Sequence, residues 1–179
     1  MRKLIQSPIS RRSLIYRAAG LALTLWAGRS LAQPLPARMQ LDISFEIVNP
    51  GGGRFKPPYV AAWIENASGL PVRTLAVWFN QSRKGWRYLD ELRRFIRFGN
   101  PAPTVSGPTR LPGRYTLVWD GRDDKGNPLP QGSYFVCLET AREDGPYVLM
   151  REPITLATST FNKVVYPGKD LKEVTLAYH

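Results

Sequence analysis

Residues 41–48 read LDISFEIV, and the pattern of this stretch decides the class of fold. Its apolar and polar side chains alternate, with Leu41, Ile43, Phe45 and Ile47 on one side and Asp42, Ser44 and Glu46 on the other. Successive side chains of a β-strand point to opposite faces of the sheet, so a period of two predicts a strand with one buried face. We therefore expect the core of this protein to be built from β-sheets.

The next apolar stretches predict a β-hairpin. The segments YVAAWIE (59–65) and VRTLAVWF (72–79) are separated by NASGLP (66–71). Asn, Ser, Gly and Pro each favour turn geometry, which makes this connection a turn between neighbouring strands.

Further strands are predicted downstream at RYTLVWD (114–120) and SYFVCLE (133–139), joined by the turn-rich DGRDDKGNPLPQG (120–132). YVLMREPITLA (147–157) and EVTLAY (173–178) supply two or three more extended segments, with NKVVYPGKD (162–170) between them. About seven short strands separated by turns are typical of an antiparallel β-sandwich. The stretch WDGRDDKGNPLPQGSY (119–134) also resembles the final hairpin of the immunoglobulin-like module of flagellar hook-capping proteins, which implies an immunoglobulin-like sandwich.

The segment WRYLDELRRFIRF (86–98) predicts the one inserted helix, because Leu89, Leu92 and Ile96 recur at intervals of three and four residues. Gly99 is placed to end that helix. The densest basic cluster of the chain lies here and just before it, at Arg83, Arg87, Arg93, Arg94 and Arg97. These arginines form either a solvated helix face or a docking surface for a phosphate-bearing ligand or an acidic partner.

Residues 1–32 are predicted to be a signal peptide rather than part of the fold. The paired Arg11 and Arg12 precede a short apolar run and resemble the twin-arginine export signal. Small residues at Ser30 and Ala32 suit cleavage by a signal peptidase. We expect export to the periplasm by the twin-arginine route, a single β-sandwich domain at 33–179, and no stable membrane anchor after cleavage.

The charge of the exported chain argues against nucleic acid as a partner. Six of the 25 Lys and Arg residues and none of the 14 acidic residues lie in 1–32, which leaves a net charge of +5 with both signs interleaved. A nucleic-acid-binding surface is expected to be strongly basic. The single cysteine, Cys137, excludes an internal disulfide and is interpreted as a small buried apolar residue.

Conventional catalytic groups are scarce. The only histidine, His179, is the last residue, where a frayed chain end holds a general base poorly. Asp120, Asp123 and Asp124 lack the regular ligand alternation of a calcium loop, and we expect them to bond local backbone amides instead of a metal. We therefore predict a protein without catalytic activity or a metal site.

The aromatic residues fall mostly at strand positions and are predicted to be core. They are Tyr59, Trp63, Trp78, Trp86, Tyr115, Trp119 and Tyr134. A flat aromatic ligand stacks favourably on such rings, so a stacking role for one or two at the sandwich edge stays open.

Three blocks of the sequence resemble one family of predicted periplasmic proteins, domain of unknown function 2271 (DUF2271). They are PYVAAWIENASGLPVRTLAVWF (58–79), RYLDELRRF (87–95) and VSGPTRLPGRYTLVWDGRDDKGNPLPQGSYFVCLETARE (105–143). The resemblance implies an exported β-sandwich, often encoded beside flavin transferases and beside membrane proteins with PepSY domains that are linked to iron or electron transfer. It therefore implies an accessory domain of a periplasmic or membrane redox system.

The loop SGPTR (106–110) is similar to the acceptor motif of FAD:protein FMN transferase, in which a threonine takes flavin mononucleotide (FMN) through a phosphoester. By that resemblance Ser106 and Gly107 match the motif, Thr109 is the acceptor, and Arg110 neutralises the phosphodiester. Pro108 stands where the motif has alanine, and Leu111 where it has a second hydroxyl residue. Thr109 is expected to be exposed. The alternative is a periplasmic protein-binding or scaffold module without a cofactor, docking through the arginine-rich helix.

Overall fold

The computed structural model describes residues 33–36, 38–49, 51, 55–98, 103–143 and 145–179, so the predicted signal peptide and Gly99 lie outside the described residues. Within these ranges the chain forms nine strands, which are β1 Leu41–Ile47, β2 Tyr59–Asn66, β3 Pro71–Trp78, β4 Ser106–Gly107, β5 Gly113–Trp119, β6 Gly132–Ala141, β7 Tyr147–Leu156, β8 Phe161–Val165 and β9 Leu171–Tyr178. One short α-helix, α1 (Arg83–Trp86), and three 3-10 turns, Leu89–Glu91, Phe95–Phe98 and Pro103–Val105, lie between β3 and β4.

The strands form two sheets. Sheet one has the order β5-β1-β9-β8, and sheet two has the order β4-β3-β2-β6-β7. All pairs are antiparallel except β3 with β4, which run parallel. The predicted all-β sandwich is confirmed. The seven strands expected from the sequence are present, and β4 and β8 are additional.

The main core lies between the two sheets. The apolar side of β1 is buried as its alternation predicts, with none of its four side chains more than 1% exposed. Side chains of sheet two that meet it include Ile64, Val136 and Leu138. Burying one such aliphatic or aromatic side chain stabilises the fold by about 1.5–3 kcal/mol, so this interface is the main source of stability.

Residues 83–98 cover the outer face of sheet two and create a second core. This core contains Trp63 of β2, Phe79 just after β3, and Cys137 of β6. They pack against Leu92 and Phe95. Strand β2 is therefore buried on both faces, and its burial shows no alternation from Tyr59 to Glu65. The sandwich has a third layer at this point, made of irregular chain.

The predicted helix at 86–98 is wrong. The chain leaves helical geometry at Leu92, whose ψ is 69°. The N–H groups of Arg94 and Phe95 then donate to the carboxylate of Glu139, each at 2.9 Å, instead of continuing a helical ladder. The apolar positions were nevertheless informative, because Leu89 and Leu92 are buried. The interruption of the helix depends on Glu139, an acceptor in β6. The sequence of residues 86–98 alone therefore does not reveal it.

No helix among the described residues is long and apolar enough to cross a membrane.

Candidate functional site

The loop predicted to accept a modification is held at both ends. Val77 pairs with Ser106 and Trp78 with Gly107 in the parallel β3–β4 ladder, and Phe79 N–H donates to the Gly107 carbonyl at 3.0 Å. At the other end the Tyr115 hydroxyl donates to the Leu111 carbonyl at 2.7 Å. Only residues 108–110 span the interval between these anchors, so the position of Thr109 is set by strands on either side.

Thr109 lines an open cleft of about 280 Å³. The other lining residues belong to the segment that leads into β2 and to the residues just after β3 and β6. They are Phe55, Lys56, Pro57, Tyr59, Asn80 and Glu143. Thr109 is half-buried, which corrects the expectation that it is exposed, whereas Pro108 and Arg110 are exposed. The hydroxyl-bearing side chain therefore borders a concave surface.

Glu143 and Tyr59 are linked inside the cleft. The Tyr59 hydroxyl lies 3.3 Å from Oε1 of Glu143 and 3.2 Å from the carbonyl oxygen of Gly85. Burial, together with the negative charge of Glu143, raises the pKa of Tyr59 to about 12. Tyr59 therefore stays a protonated hydrogen-bond donor at neutral pH. The second oxygen of Glu143 lies 3.5 Å from Nζ of Lys56 and 3.8 Å from Nζ of Lys84.

The aromatic wall of the cleft is supported from within the protein. The Arg142 guanidinium lies over the ring of Phe55, with Cζ 4.7 Å from the ring centroid. Arg142 Nε donates to Oδ1 of the fully buried Asp170 at 2.8 Å, and its Nη2 donates to the Val48 carbonyl at 3.3 Å. This buried ion pair fixes Arg142 and, through it, the position of Phe55.

Arg110 does not line the cleft. Its guanidinium lies over the ring of Trp78, with Cζ 5.2 Å from the ring centroid. Within the described ranges no carboxylate pairs with Arg110, so its N–H donors are open to an anion. The residue next to Thr109 is therefore an accessible cation held on an aromatic platform.

Residues 40–173 match the model of a family described as predicted periplasmic protein (DUF2271). The chain belongs to this family. Membership supports a periplasmic location, and the matched residues include the whole cleft from Phe55 to Glu143. No curated protein and no solved structure matches the chain.

The cofactor-binding residues predicted in this DUF2271 member are not gathered into one pocket. Of the four, Thr109 lines the cleft, Ser106 and Gly107 form β4, and Arg110 lies on Trp78. A Cβ on Gly107 would meet Trp78 Cδ1 at 3.5 Å, an ordinary contact, and its φ is not positive. The fold itself thus tolerates a side chain at Gly107.

Sequence reasoning missed most of the cleft, including Asn80 and Glu143. The positions of Tyr59 and Glu143 in their strands explain why they meet: Tyr59 begins β2, and Glu143 lies two residues after the end of β6. Tyr59 pairs with Ala141 in the β2–β6 ladder, which brings Tyr59 close to Glu143. Recognising this requires the strand partners, and a single sequence does not supply them.

The arginine cluster is divided by the fold. Arg94 turns inward and donates to the fully buried Glu65, which corrects its assignment to an exposed face. Arg93 is exposed but pairs with Glu91 at 3.3 Å and lies over the ring of Tyr147. The exposed members without an ion pair among the described residues are Arg83, Arg87 and Arg97.

The aspartate loop and the cysteine have structural roles, as predicted. Asp123 accepts from the local N–H groups of Lys125 and Asn127, as predicted. Asp124 accepts from the N–H of Thr74 in β3, 50 residues away, which corrects the expectation of a local partner. Cys137 is fully buried, and this burial raises the pKa of its thiol. Among the residues that the structure describes, no cluster of three or more His, Cys, Asp or Glu side chains is suited to a metal ion.

Proposed function

We propose that this periplasmic protein is a non-enzymatic accessory domain of a membrane redox system that carries FMN on Thr109. The observation that supports this is the placement of the Thr109 side chain on an open cleft, in a short loop anchored at Gly107 and Leu111. An acceptor hydroxyl must reach a modifying enzyme and then hold its product in a defined place. The anchored loop suits the second requirement, and the exposed residues Pro108 and Arg110 on either side of Thr109 give access for the first.

The modification would be a phosphoryl transfer in which this chain is the acceptor. The Thr109 oxygen forms a bond to the phosphorus of the FMN half of FAD, the pyrophosphate P–O bond breaks, AMP leaves, and the hydroxyl proton passes to a base of the transferase. The product is a phosphodiester with one negative charge. Arg110 follows Thr109 directly and has no carboxylate partner in the described part of the chain, which suits that charge.

Bound flavin supplies electron transfer, and the chain supplies attachment and surroundings. His179, the only histidine of the sequence, pairs with Asp42 at 3.3 Å and does not line the cleft. A carrier needs no general base of its own, and the residues around Thr109 are suited to holding a group rather than to acid–base chemistry on a substrate.

Intact-mass measurement after co-expression with an FAD:protein FMN transferase tests the proposal. We expect the native chain to gain the mass of one FMN group and Thr109→Ala to gain nothing. Thr104→Ala is the matched control, because Thr104 is an exposed threonine in the 3-10 turn before β4, and it should be modified like the native chain. An unmodified native chain, or an increment that survives Thr109→Ala, contradicts the proposal.

A second candidate is a protein-binding module without a cofactor. Its supporting observation is that the segment 83–98 exposes three arginines, Arg83, Arg87 and Arg97, and also exposes Trp86, which is 51% exposed. Arginine and tryptophan are enriched at energetically important interface positions. Triple charge reversal of these arginines should abolish binding to the periplasmic part of a PepSY-type membrane protein, whereas Lys163→Glu on β8 should not. Unchanged binding of the triple variant argues against this candidate.

A further inference from the structure

We propose that the cleft beside Thr109 is a seat for a planar heteroaromatic ring with a polar edge, namely the isoalloxazine ring of flavin. The inference rests on the proposed function for how the ring arrives, through a bond to Thr109. Recognition of the ring by the cleft does not depend on that bond, so the two ideas fail in different ways.

The size and position of the cleft suit a tethered ring. Its volume is about 280 Å³, near the lower end of the roughly 300–1,000 Å³ typical of small-molecule sites. It therefore suits one ring system better than a whole dinucleotide. Because Thr109 is part of the wall, a group attached there is presented to the cleft at an effective concentration on the order of millimolar.

Part of the cleft lining is apolar. Phe55 and Pro57 contribute rings to it, together with Tyr59, which is itself almost fully buried. Phe55 is backed by Arg142, which the buried Asp170 holds, and the Tyr59 hydroxyl is held by Gly85 and Glu143. Because Phe55 is already held in place by Arg142, stacking of an aromatic ring on it would cost little in side-chain ordering.

The rest of the lining includes polar groups for the polar edge of the ring. Asn80 Oδ1 accepts from the N–H of Ser82 at 3.0 Å, which leaves its amide N–H groups as the donors toward the cleft. Lys56 and Glu143 also line the cleft, where they form an ion pair at 3.5 Å, so they present a donor and an acceptor that are already engaged with each other. The pyrimidine end of isoalloxazine carries two carbonyl oxygens and one ring N–H, and this set of groups complements it.

Glu143 also predicts an electrostatic effect on a bound flavin. A carboxylate beside the ring opposes the arrival of negative charge when the flavin is reduced. Lys56 and Lys84 lie 3.5 and 3.8 Å from the Glu143 carboxylate and partly offset it. Removal of the Glu143 charge should therefore move the midpoint potential of the flavin to a more positive value.

The first experiment uses unmodified protein. Thr109→Ala, which has no attachment site, is titrated with riboflavin, and quenching of flavin fluorescence is followed. We expect saturable binding that Phe55→Leu weakens about threefold to tenfold, because stacking on the aromatic ring is lost while apolar volume is kept. Circular dichroism verifies that the variant is folded. Absence of binding by Thr109→Ala, or binding indifferent to Phe55→Leu, overturns the inference.

The second experiment uses the flavinylated chain and measures fluorescence anisotropy and midpoint potential. We expect high anisotropy and a more positive potential in Glu143→Gln, with no shift in Glu152→Gln, whose carboxylate pairs with Lys163 on the edge strands. A flavin that tumbles freely, or equal midpoint potentials in Glu143→Gln and Glu152→Gln, overturns the ring seat. In either case the mass increment still supports attachment to Thr109. Riboflavin binding without any mass increment supports the ring seat and contradicts the attachment.

Discussion

Arg94 donates two parallel hydrogen bonds to the fully buried carboxylate of Glu65, from Nε to Oε1 and from Nη2 to Oε2, each 2.8 Å long. Trp63 Nε1 at 3.0 Å and Arg151 Nε at 2.8 Å also donate to Glu65. The covering segment 83–98 is therefore attached to sheet two by a charge pair as well as by apolar packing. Because this segment also carries Lys84 and Gly85, the same attachment supports one wall of the Thr109 cleft.

Glu65→Gln should destabilise the protein by about 3 kcal/mol, because removal of one partner leaves buried or half-buried arginines uncompensated. The measurement is the free energy of unfolding in urea. Glu91→Gln is the matched control in the covering segment, where the side chain is 42% exposed and pairs with Arg93. The control should lose less than about 1 kcal/mol. Equal losses in the two variants would show that the Glu65 pair contributes no more than a surface pair.

Acid should weaken the same attachment. Burial by itself raises the pKa of Glu65, but the hydrogen bonds from Arg94, Arg151 and Trp63 outweigh it and lower the pKa to about 2 from its ordinary 4.5. A depressed pKa means that the contribution of Glu65 is complete above pH 4.5 and is lost as the pH falls toward 2. The difference in unfolding free energy between the native chain and Glu65→Gln should shrink across this range. A difference independent of pH would contradict the ion-pair explanation.

Glu139→Gln should loosen the second half of the covering segment. The carboxylate accepts from Arg94 N–H and Phe95 N–H, each at 2.9 Å, and from the Tyr147 hydroxyl at 2.7 Å. A carboxamide offers one acceptor oxygen and an N–H₂ group that repels donors, so hydrogen exchange at these two amides should accelerate about tenfold or more. The amide of Ile43 in β1, in the other sheet, is the internal reference and should be unchanged. Equal acceleration at Ile43 would indicate global destabilisation instead.

Two glycines near the cleft should respond differently to alanine. A Cβ on Gly85 would lie 1.8 Å from the Asn80 carbonyl oxygen, so Gly85→Ala should cost about 2 kcal/mol of stability through overpacking. Gly107→Ala meets only an ordinary contact with Trp78 and should melt close to the native chain. Thermal unfolding of both variants checks this pair. If Gly107→Ala is the less stable variant, the loop geometry described above is wrong.

If Thr109 accepts FMN as proposed, Pro108→Ala should speed the attachment. Proline fixes its own φ and restricts the preceding Gly107, which limits how the loop enters a transferase. Pro108 is exposed, so its replacement removes little packing. Time-resolved intact mass should show a several-fold faster increment, with Pro112→Ala as the control proline beyond Leu111. An unchanged or slower rate for Pro108→Ala would show that the loop already has the shape that the transferase binds.

The strands and the buried faces were largely predictable. The alternation in β1 predicted its buried face residue by residue, and the Asn66 and Gly69 turn predicted the β2–β3 hairpin, because both signals are local. Strand β4 was missed since two residues inside a Pro-rich loop carry no periodic signal. The helix at 86–98 was predicted from a real apolar pattern, but the Glu139 carboxylate competed with its backbone hydrogen bonds.

The sequence by itself determined the β-sandwich, because side-chain periodicity and turn residues act over a few neighbouring positions. Thr109 was predicted only from the resemblance of the SGPTR loop to an acceptor motif. Only the tertiary structure decided that Arg94 faces Glu65 instead of solvent, and that Phe55, Asn80 and Glu143 meet Thr109 around one cleft. These groups lie up to 88 residues apart along the chain and come together through the pairing of β2 with β3 and β6. Which strand ends become neighbours depends on long-range pairing and burial, and local sequence does not encode that choice.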